Sequence, residues 1–337
     1  MRILPIFIPH AGCDHQCVFC NQTSTSQVVG LPSTADVTAL VEEAICFGRL
    51  DEVAYYGGSF TALPLELQKA FLGLLQPYLA DGDIGGIRLS TRPDAVDEET
   101  LNLLRSCGVT TVELGCQSFS DQVLQATGRG HKSGDAVRSA ALLQQSGMNL
   151  GLQLMPGLPG ADRQEAYSSL EAALSLCPDF MRIYPTVVLE STRLADLWRQ
   201  GGYQPLDLEE VVDICADFDL ICRRHGVPVI RFGLQANDDL NGDAVLAGPY
   251  HPAFGQLVKS RLWQRALRLL LADGNAVFKV HPADLSDAVG HRRNNLQVLT
   301  ERSPHFSVQA APHVPRGSVM AGEIVHDMAS FLIQAKG

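Results

Sequence analysis

CDHQCVFC, residues 13–20, is the stretch around which the rest of the chain is organised. It places Cys13, Cys17 and Cys20 in a Cys-x3-Cys-x2-Cys spacing, with Phe19 directly before the last cysteine. Thiolates this close in sequence can converge on one metal centre. A structural zinc site normally has four protein ligands, whereas a 4Fe–4S cluster held by three cysteines leaves one iron open. The spacing therefore predicts a metal site with an open position, where chemistry can occur.

Apolar strands alternate with helices along the first two thirds of the chain. The predicted strands are 3–8, 52–58, 86–91, 110–118, 150–160, 180–188 and 227–234. The predicted helices are 35–48, 64–76 (ended by Pro77), 97–107, 119–126, 133–147, 162–176 and 208–225. Near-continuously apolar strands at intervals of roughly 30 to 40 residues indicate a parallel sheet covered on both faces. Six or seven such units predict an α/β fold, a partial or full (β/α) TIM-like barrel.

The composition changes after about residue 235. The segment QANDDLNGDAVLAGPYHPAFG (235–255) is polar and glycine-rich and suggests a long loop. A helix is expected at 253–273 and a short strand near 276–280, and the chain from Arg292 onward is expected to be less regular. We interpret residues 1–235 as the barrel domain and 236–337 as a C-terminal extension that packs on the barrel, with a small separate module as the alternative.

Composition and charge limit the classes of function. The 337 residues are 46% hydrophobic and 19% charged, which is typical of a globular enzyme. The net charge of −11 disfavours broad electrostatic attachment to nucleic acid or to an anionic membrane. No apolar run is long enough to span a bilayer, and Pro5 and Pro9 interrupt the apolar N-terminus, so we expect neither a membrane segment nor a signal peptide. We predict a cytoplasmic protein whose other six cysteines are core thiols rather than disulfides.

Polar and glycine-rich turns follow most of the predicted strands. They are YGGSFT (56–61), STRPD (90–94), LGCQS (114–118), GRGHK (128–132), MPGLPG (155–160) and IYPT (183–186). In (β/α) barrels the active site forms at the carboxyl ends of the strands, where these turns lie. The glycine pair can bring exposed backbone close to a ligand, and Arg129 between two glycines can present a guanidinium to a carboxylate. Gln117 is the other polar candidate.

The sequence resembles the radical SAM superfamily, whose signature is Cys-x3-Cys-x-aromatic-Cys. The resemblance rests on the three cysteines, on the glycine pair Gly57-Gly58 and on the alternation of strands and helices typical of a barrel. The resemblance implies that Cys13, Cys17 and Cys20 ligate a 4Fe–4S cluster and that S-adenosylmethionine chelates its open iron. One electron would then cleave S-adenosylmethionine to methionine and a 5′-deoxyadenosyl radical, which abstracts a substrate hydrogen. A reductant such as flavodoxin or ferredoxin would supply the electron.

The same resemblance implies roles for the residues around the cluster. Phe19 would lie by the adenine, and Gly57 and Gly58 would offer backbone carbonyls to the methionine amino group, with Ser59 in the same turn. Gln117 and Arg129 would hold the methionine or the ribose. Met155 would lie near the adenine. No residue that acts directly on the substrate is predicted.

A closer resemblance runs through YGGSFTALP, STRPD, GCQSFSDQVLQATGRGH, LMPGLPG and RIYPTVVLESTRLADLW. Together these segments are similar to the radical SAM domain of the Elongator catalytic subunit, which modifies a tRNA uridine. The GCQSF and GLPG segments also resemble oxygen-independent coproporphyrinogen dehydrogenases. We expect a stand-alone relative, because the chain shows neither an acetyl-CoA-binding loop nor a basic N-terminal extension. The segment GPYHPAFGQLVKSRLW (248–263) is similar to such relatives, but its role is unassigned.

Three hypotheses about function follow. The first is modification of RNA or tRNA, with local phosphate contacts from Arg223, Arg224, Arg292 and Arg293. The second is chemistry on a small molecule or peptide, which the acidic composition favours. The third is a structural zinc module in which a histidine such as His10 or His15 completes the ligand set.

Overall fold

The chain forms two compact units in the computed structural model, which describes residues 2–272 and 274–335. One unit comprises Met1–Leu206 with Leu234–Tyr250, and the other comprises Asp207–Gly233 with His251–Gly337. The predicted boundary between a barrel domain ending at residue 235 and a C-terminal extension stays a prediction.

Strands and helices alternate through most of the described chain. The strands are β1 Ile3–Phe7, β2 Glu52–Tyr56, β3 Ile87–Thr91, β4 Val109–Gln117, β5 Asn149–Leu154, β6 Phe180–Ile183, β7 Val188–Leu189, β8 Val229–Phe232, β9 Val245–Ala247, β10 Val277–Val280, β11 Ser307–Ala310, β12 Ser318–Ala321 and β13 Ile324–Asp327. The helices are α1 Gln22–Ser26, α2 Thr34–Ile45, α3 Leu65–Gly73, α4 Gln76–Ala80, α5 Glu98–Ser106, α6 Asp121–Ala126, α7 Ser133–Gln145, α8 Arg163–Ser175, α9 Arg193–Arg199, α10 Leu208–Arg224, α11 Asp238–Asn241, α12 Phe254–Ala272, α13 Leu285–Val289, α14 Asn294–Arg302 and α15 Met328–Ala335.

Strands β1 to β6 of the first unit form one parallel sheet in chain order. Adjacent strands lie about 4.8 Å apart, so a flat sheet would separate β2 from β6 by about 19 Å. Arg182 on β6 nevertheless donates to the Tyr56 hydroxyl on β2 at 2.9 Å. The sheet is therefore strongly curled, which confirms the predicted barrel in its partial form.

Local sequence signals explain where the helices begin. Ser33 starts α2 with a capping box, in which its side chain and that of Asp36 each bond the other's backbone amide. Asp97 and Asp162 accept from backbone amides at the starts of α5 and α8.

One predicted helix, residues 64–76, is divided in the structure. Helix α3 ends at Gly73, and Pro77 lies in the first turn of α4 rather than after the end of a single helix. Proline is tolerated there because amides of a first turn need no intrahelical partner. The prediction that Pro77 ends a helix is therefore wrong.

The second unit contains α10, β8, α12 and a four-stranded sheet with the order β11-β10-β12-β13. Strands β10 and β11 are parallel, and the other two pairs are antiparallel. Helices α10 and α12 are joined by ion pairs of Arg261 and Arg265 with Asp213, at 2.5 and 2.7 Å. The expectation of a less regular chain after Arg292 is wrong, because residues 293–335 include two helices and three strands.

No helix in residues 2–272 or 274–335 is both long and apolar enough to cross a membrane.

Candidate active site

The cysteine loop, residues 8–20, leaves the carboxyl end of β1 and is held by backbone hydrogen bonds at both of its ends. The Ile8 amide donates to the Tyr56 carbonyl at 2.8 Å, so the start of the loop still follows β2. The Val18 amide donates to the Thr127 carbonyl at 3.0 Å. These bonds fix the loop at the edge of the sheet where an α/β barrel carries its active site.

The glycine turn after β2 packs directly against the cysteine loop. A Cβ atom on Gly58 would lie 2.2 Å from the Ala11 carbonyl oxygen, and the same oxygen accepts from the Ser59 amide at 2.8 Å. On the other side, Gly12 has a φ of +71°, and a Cβ there would lie 2.2 Å from the Ser59 carbonyl oxygen. At Gly58 the close backbone approach is made to the cysteine loop itself, and the predicted approach of the glycine pair to a ligand stays a prediction.

Both histidines of the zinc hypothesis lie in this region. The Nε2 atom of His10 accepts from the Gln22 amide at 3.1 Å, and the His10 amide donates to the Gln22 side chain. His15 lies against Gly130, where an added Cβ would lie 1.7 Å from its ring. The Nε2 atom of His10 is thus engaged by the protein itself.

The three thiols of Cys13, Cys17 and Cys20 are near enough to affect one another. Burial, followed by Cys17 and Cys13, raises the pKa of the Cys20 thiol to about 12. Burial and then Cys17 also raise the pKa of Cys13. Three adjacent thiolates repel one another, so a bound cationic centre would be needed to keep them ionised.

The spacing of the three cysteines allows two kinds of metal centre, a zinc site and an iron–sulfur cluster. Cys13, Cys17 and Cys20 are free thiols. Across residues 2–272 and 274–335, no group of three Cys, His, Asp or Glu side chains is arranged to hold a metal ion. A cluster makes a different demand, because each cysteine binds its own iron and the sulfur atoms need not converge on one ion. Three free thiols on one anchored loop fit a cluster.

Arg129 contacts one of these cysteines. Its Nη1 lies 3.3 Å from the Cys17 Sγ, and its Nη2 donates to the Gly115 carbonyl. The side chain is buried, and within the described residues its Nε has no hydrogen-bond partner. Arg129 also lowers the pKa of Cys13 and Cys20, against the larger effect of burial. It therefore favours the thiolate forms and keeps an unused donor beside them.

Gln117 ends β4 in an unusual conformation. Its φ is +67°, which lies in the left-handed region that few glutamines occupy. Its carbonyl accepts from the Met155 amide at 2.8 Å, and its side-chain oxygen accepts from Gln153 at 3.2 Å. Gln117 and Met155, two of the predicted cofactor-binding residues, are therefore neighbours.

An apolar cluster lies beside the cysteines. Phe19 is buried together with Val18 and Leu158, and the partly buried Cys17, Cys20 and Met155 pack against the same cluster. Such a wall limits access of water to one side of the cysteine loop.

Sequence reasoning missed a charged network inside the curled sheet. Arg88 bonds Glu52 at 2.6 Å and Glu113 at 2.9 Å, and Arg182 bonds Glu113 at 3.1 Å. The Tyr56 hydroxyl donates to Glu113 at 3.1 Å. The available signal was one charged residue within each of several otherwise apolar strands.

Arg92 and Asp94 at this edge were also missed as individual candidates, and the surface position that the sequence favours for His131 is wrong. The Arg92 amide donates to Ser59 Oγ at 3.0 Å, and its guanidinium pairs with Asp94 at 2.5 Å. His131 is only 4% exposed, and neither of its ring nitrogens has a hydrogen-bond partner among the described residues. Burial and then Arg129 lower the pKa of His131 to about 4. These residues belong to the STRPD and GRGHK turns, whose position the sequence did indicate.

The curled parallel sheet and the thiols at its carboxyl edge define the class of (β/α)-barrel enzymes that work at the ends of their strands. The chain belongs to the radical SAM superfamily, whose model matches residues 7–173, and a model of the radical SAM C-terminal domain matches residues 178–264. It is an enzyme of the radical SAM type.

Curated relatives are tRNA-modifying and Elongator proteins. The tRNA uridine(34) acetyltransferase of Methanocaldococcus infernus is 33% identical over 183 residues, which is 53% of this chain and 33% of that protein. Human Elongator complex protein 3 is 31% identical over 184 residues, which is 48% of this chain and 34% of that protein. The chain thus spans about a third of the length of these relatives.

Two solved structures share the fold. Methanocaldococcus infernus Elp3 with an N-terminal deletion has a TM-score of 0.64 and 23% identity, covering 79% of this chain and 64% of that one. Escherichia coli coproporphyrinogen III oxidase (HemN) has a TM-score of 0.50 and 18% identity, covering 67% and 53%. At these identities the likeness concerns the fold alone.

Proposed function

We propose that Cys13, Cys17 and Cys20 hold a 4Fe–4S cluster at which S-adenosylmethionine binds. When bound, the cluster would supply the electron that cleaves S-adenosylmethionine to methionine and a 5′-deoxyadenosyl radical, which removes a hydrogen atom from the substrate. The observation that carries the proposal is the close packing of the Gly58 turn against the loop of the three free thiols.

The protein's own residues would bind, orient and shield. Arg129 would favour the thiolate forms and offer its unused Nε to an acceptor on the cofactor. The Gly57–Gly58 turn and Ser59 would present backbone groups to the methionine moiety. Gln117, in its strained conformation, would present a polar side chain to the same cofactor.

The apolar side of the site would exclude water from a reactive intermediate. Phe19 and Met155 lie on or against the cluster of buried apolar side chains next to Cys17 and Cys20. Water exclusion there would limit side reactions of the radical.

The ligand assignment is tested by Cys17→Ala and the matched variant Cys116→Ala. After anaerobic reconstitution, Cys17→Ala should lose bound iron and sulfide and release no 5′-deoxyadenosine on reduction with S-adenosylmethionine. Cys116 is fully buried outside the cysteine loop, so Cys116→Ala should keep the cluster. Cleavage by Cys17→Ala at the parent rate would refute the ligand assignment.

We infer that the substrate is RNA, with tRNA as the leading class. The support is the 33% identity to a protein named tRNA uridine(34) acetyltransferase. The experiment is a titration of bulk tRNA into the reconstituted enzyme, measuring both binding and 5′-deoxyadenosine release. A tRNA-dependent increase in release is expected, and failure to bind bulk tRNA at low salt would count decisively against RNA.

A small molecule or peptide is the second candidate, favoured by the net charge of −11. Comparison of metabolites and modified nucleosides between a deletion strain and its parent separates the two candidates. Loss of a modified nucleoside with unchanged metabolites would reject the second one.

The reductant would be a flavodoxin or ferredoxin, and the cytoplasm would be the location. Reduced flavodoxin should replace dithionite in 5′-deoxyadenosine formation. Failure of both reduced flavodoxin and reduced ferredoxin to support it would reject this partner assignment.

A further inference from the structure

Two sequence features without an assigned role meet in the second unit. His251 belongs to the segment 248–263, and His291 begins the HRR turn, which we define as His291, Arg292 and Arg293. The two imidazole rings pack edge to face, with centroids 4.9 Å apart and planes at 84°. Forty residues separate them in sequence, so only tertiary structure brings them together.

The HRR turn has an unusual backbone. Arg292 has φ 50° and ψ 30°, and Arg293 has φ 64° and ψ 23°, so two successive arginines adopt the left-handed conformation. Residues other than glycine, asparagine and aspartate rarely occupy this region. Such a conformation persists only where the surrounding structure imposes it.

Asn295 and Gly290 contact each other on either side of the HRR turn. Asn295 is 2% exposed, and its amide group donates to the Ser260 carbonyl at 2.9 Å and the Ala288 carbonyl at 3.2 Å. Gly290 has a φ of +84°, and a Cβ there would lie 2.9 Å from the Asn295 amide nitrogen. Ser260 lies within the segment 248–263, which therefore helps to fix the HRR turn.

The arginines of this turn are not neutralised by acidic neighbours. Arg292 and Arg293 are exposed, and their side chains make no ion pair or hydrogen bond in the described part of the chain. The other adjacent pair differs, because Arg223 is paired with Asp219 at 2.6 Å on helix α10. Burial, then His291 and Arg292, lower the pKa of His251, so the positive charge of the turn is felt at that ring.

We propose that the HRR turn, supported by His251, is a contact site for phosphate groups of an RNA substrate. The inference rests on the RNA substrate of the proposed function and deepens it. Two guanidinium groups provide the planar donors that suit phosphate oxygens. Because the backbone is already fixed, less conformational entropy is lost on binding. A chain of net charge −11 needs such a local cationic site to hold a polyanion.

The test measures binding of fluorescently labelled bulk tRNA by anisotropy, using the full reconstituted protein across a salt series from about 50 to about 200 mM. The variant is Arg292→Asn with Arg293→Asn, because asparagine accepts the left-handed conformation and removes the charge. We expect binding to weaken by at least about tenfold at low salt. The slope of log K against log salt should fall by about 1.4–1.8, as for two lost phosphate contacts.

The matched control is Arg268→Gln with Arg302→Gln, which removes the same charge from exposed positions on α12 and α14 of the same unit. It should change tRNA affinity by less than about twofold, since scattered exposed charges act weakly at these salt concentrations. Equal losses in both double variants would mean that only net charge matters and would overturn the proposal. Circular dichroism and thermal unfolding of each variant establish that it is folded.

Other outcomes separate this inference from the proposed function. Unchanged tRNA binding by the Asn variant, with normal tRNA-dependent 5′-deoxyadenosine release, would overturn the phosphate site alone. Absence of tRNA binding by the parent would overturn both the phosphate site and the RNA substrate. The radical SAM chemistry is tested on its own, by measuring cleavage of S-adenosylmethionine in the absence of RNA. Loss of binding to phosphatidylserine vesicles, with tRNA affinity unchanged, would identify a membrane surface and overturn the proposal.

Discussion

Glycines set how closely the chain packs around Cys13. A Cβ on Gly58 would lie 2.2 Å from one backbone oxygen of the cysteine loop and 2.6 Å from another. Backbone atoms held by hydrogen bonds cannot give way as the end of a flexible side chain can. At this position the sequence therefore tolerates no side chain, and the constraint comes from the cysteine loop.

Gly58→Ala is expected to displace the cysteine loop while leaving the rest of the fold intact. The variant should retain less iron after reconstitution and bind S-adenosylmethionine more weakly, measured by iron content and equilibrium dialysis. Gly73→Ala is the control, because an added Cβ at Gly73 meets nothing within 4 Å. The control should be at least as stable as the parent, since alanine favours helix over glycine. Full iron content in Gly58→Ala would contradict this account.

His131 makes stability depend on pH. Its pKa in the folded protein is about 4, below the ordinary value of 6.5. The unfolded chain therefore binds the proton first as the pH falls. The contribution is complete above about pH 6.5 and is lost as the pH approaches about 4, which corresponds to about 3 kcal/mol.

His131→Phe keeps an aromatic ring of similar size and removes this titration. Urea unfolding is measured at about pH 7, 5.5 and 4, which cover the range over which His131 changes stability. The free energy of unfolding should fall less in the variant than in the parent as the pH is lowered. Parallel loss in the two proteins would mean that His131 is not buried in its neutral form.

At the scale of elements, the charged network explains how the curled sheet accommodates polar residues. Glu52, Arg88, Glu113 and Arg182 come from β2, β3, β4 and β6 and carry two charges of each sign. Gly151 on β5 leaves space for the Phe180 ring and for Glu113, because a Cβ there would lie 2.4 Å from the ring and 3.1 Å from the Glu113 Cγ. Buried charges of this kind are tolerated only when each has its partners.

Arg88→Met should destabilise the fold by about 3–5 kcal/mol, because it leaves two buried carboxylates without their shared cation. The measurement is the free energy of unfolding in urea. Adding Glu52→Gln to Arg88→Met should cost less than the sum of the two single substitutions, since the pair is directly coupled at 2.6 Å. The control, Arg199→Met, removes the exposed ion pair with Glu190 and should leave the midpoint nearly unchanged. Equal effects of the two arginine substitutions would refute the role of the network.

At the scale of the whole molecule, cysteines and charges are distributed unevenly. Three of the nine cysteines meet on one loop, and three others are buried, namely Cys116, Cys215 and Cys222. Cys46 and Cys177 are exposed, so the prediction that all six are core thiols is wrong for these two. Burial raises the pKa of Cys116 to about 12, so that thiol is inert at neutral pH. Charge is also unevenly distributed. Although the net charge is −11, the HRR turn exposes two adjacent arginines that have no acidic partner in the described part of the chain.

The sequence by itself determined the order of strands and helices, the class of (β/α) barrel and the cysteine loop, while it left a partial and a full barrel equally open. These follow from local patterns: apolar runs record burial, while glycines, prolines and capping residues record where the chain turns. Ile3–Phe7 and Val109–Gln117 were predicted to within a residue or so for this reason. The division at Gly73 was missed because Pro77 is compatible with either end of a helix.

Only the tertiary structure decided which polar residues meet. Arg129 lies beside Cys17, Arg182 reaches Tyr56, and His251 packs on His291, over sequence separations of 112, 126 and 40 residues. Nothing in a local pattern records the curl of a sheet or the way one turn faces another. Those contacts depend on how distant elements pack together, and so they are settled only when the whole unit is folded.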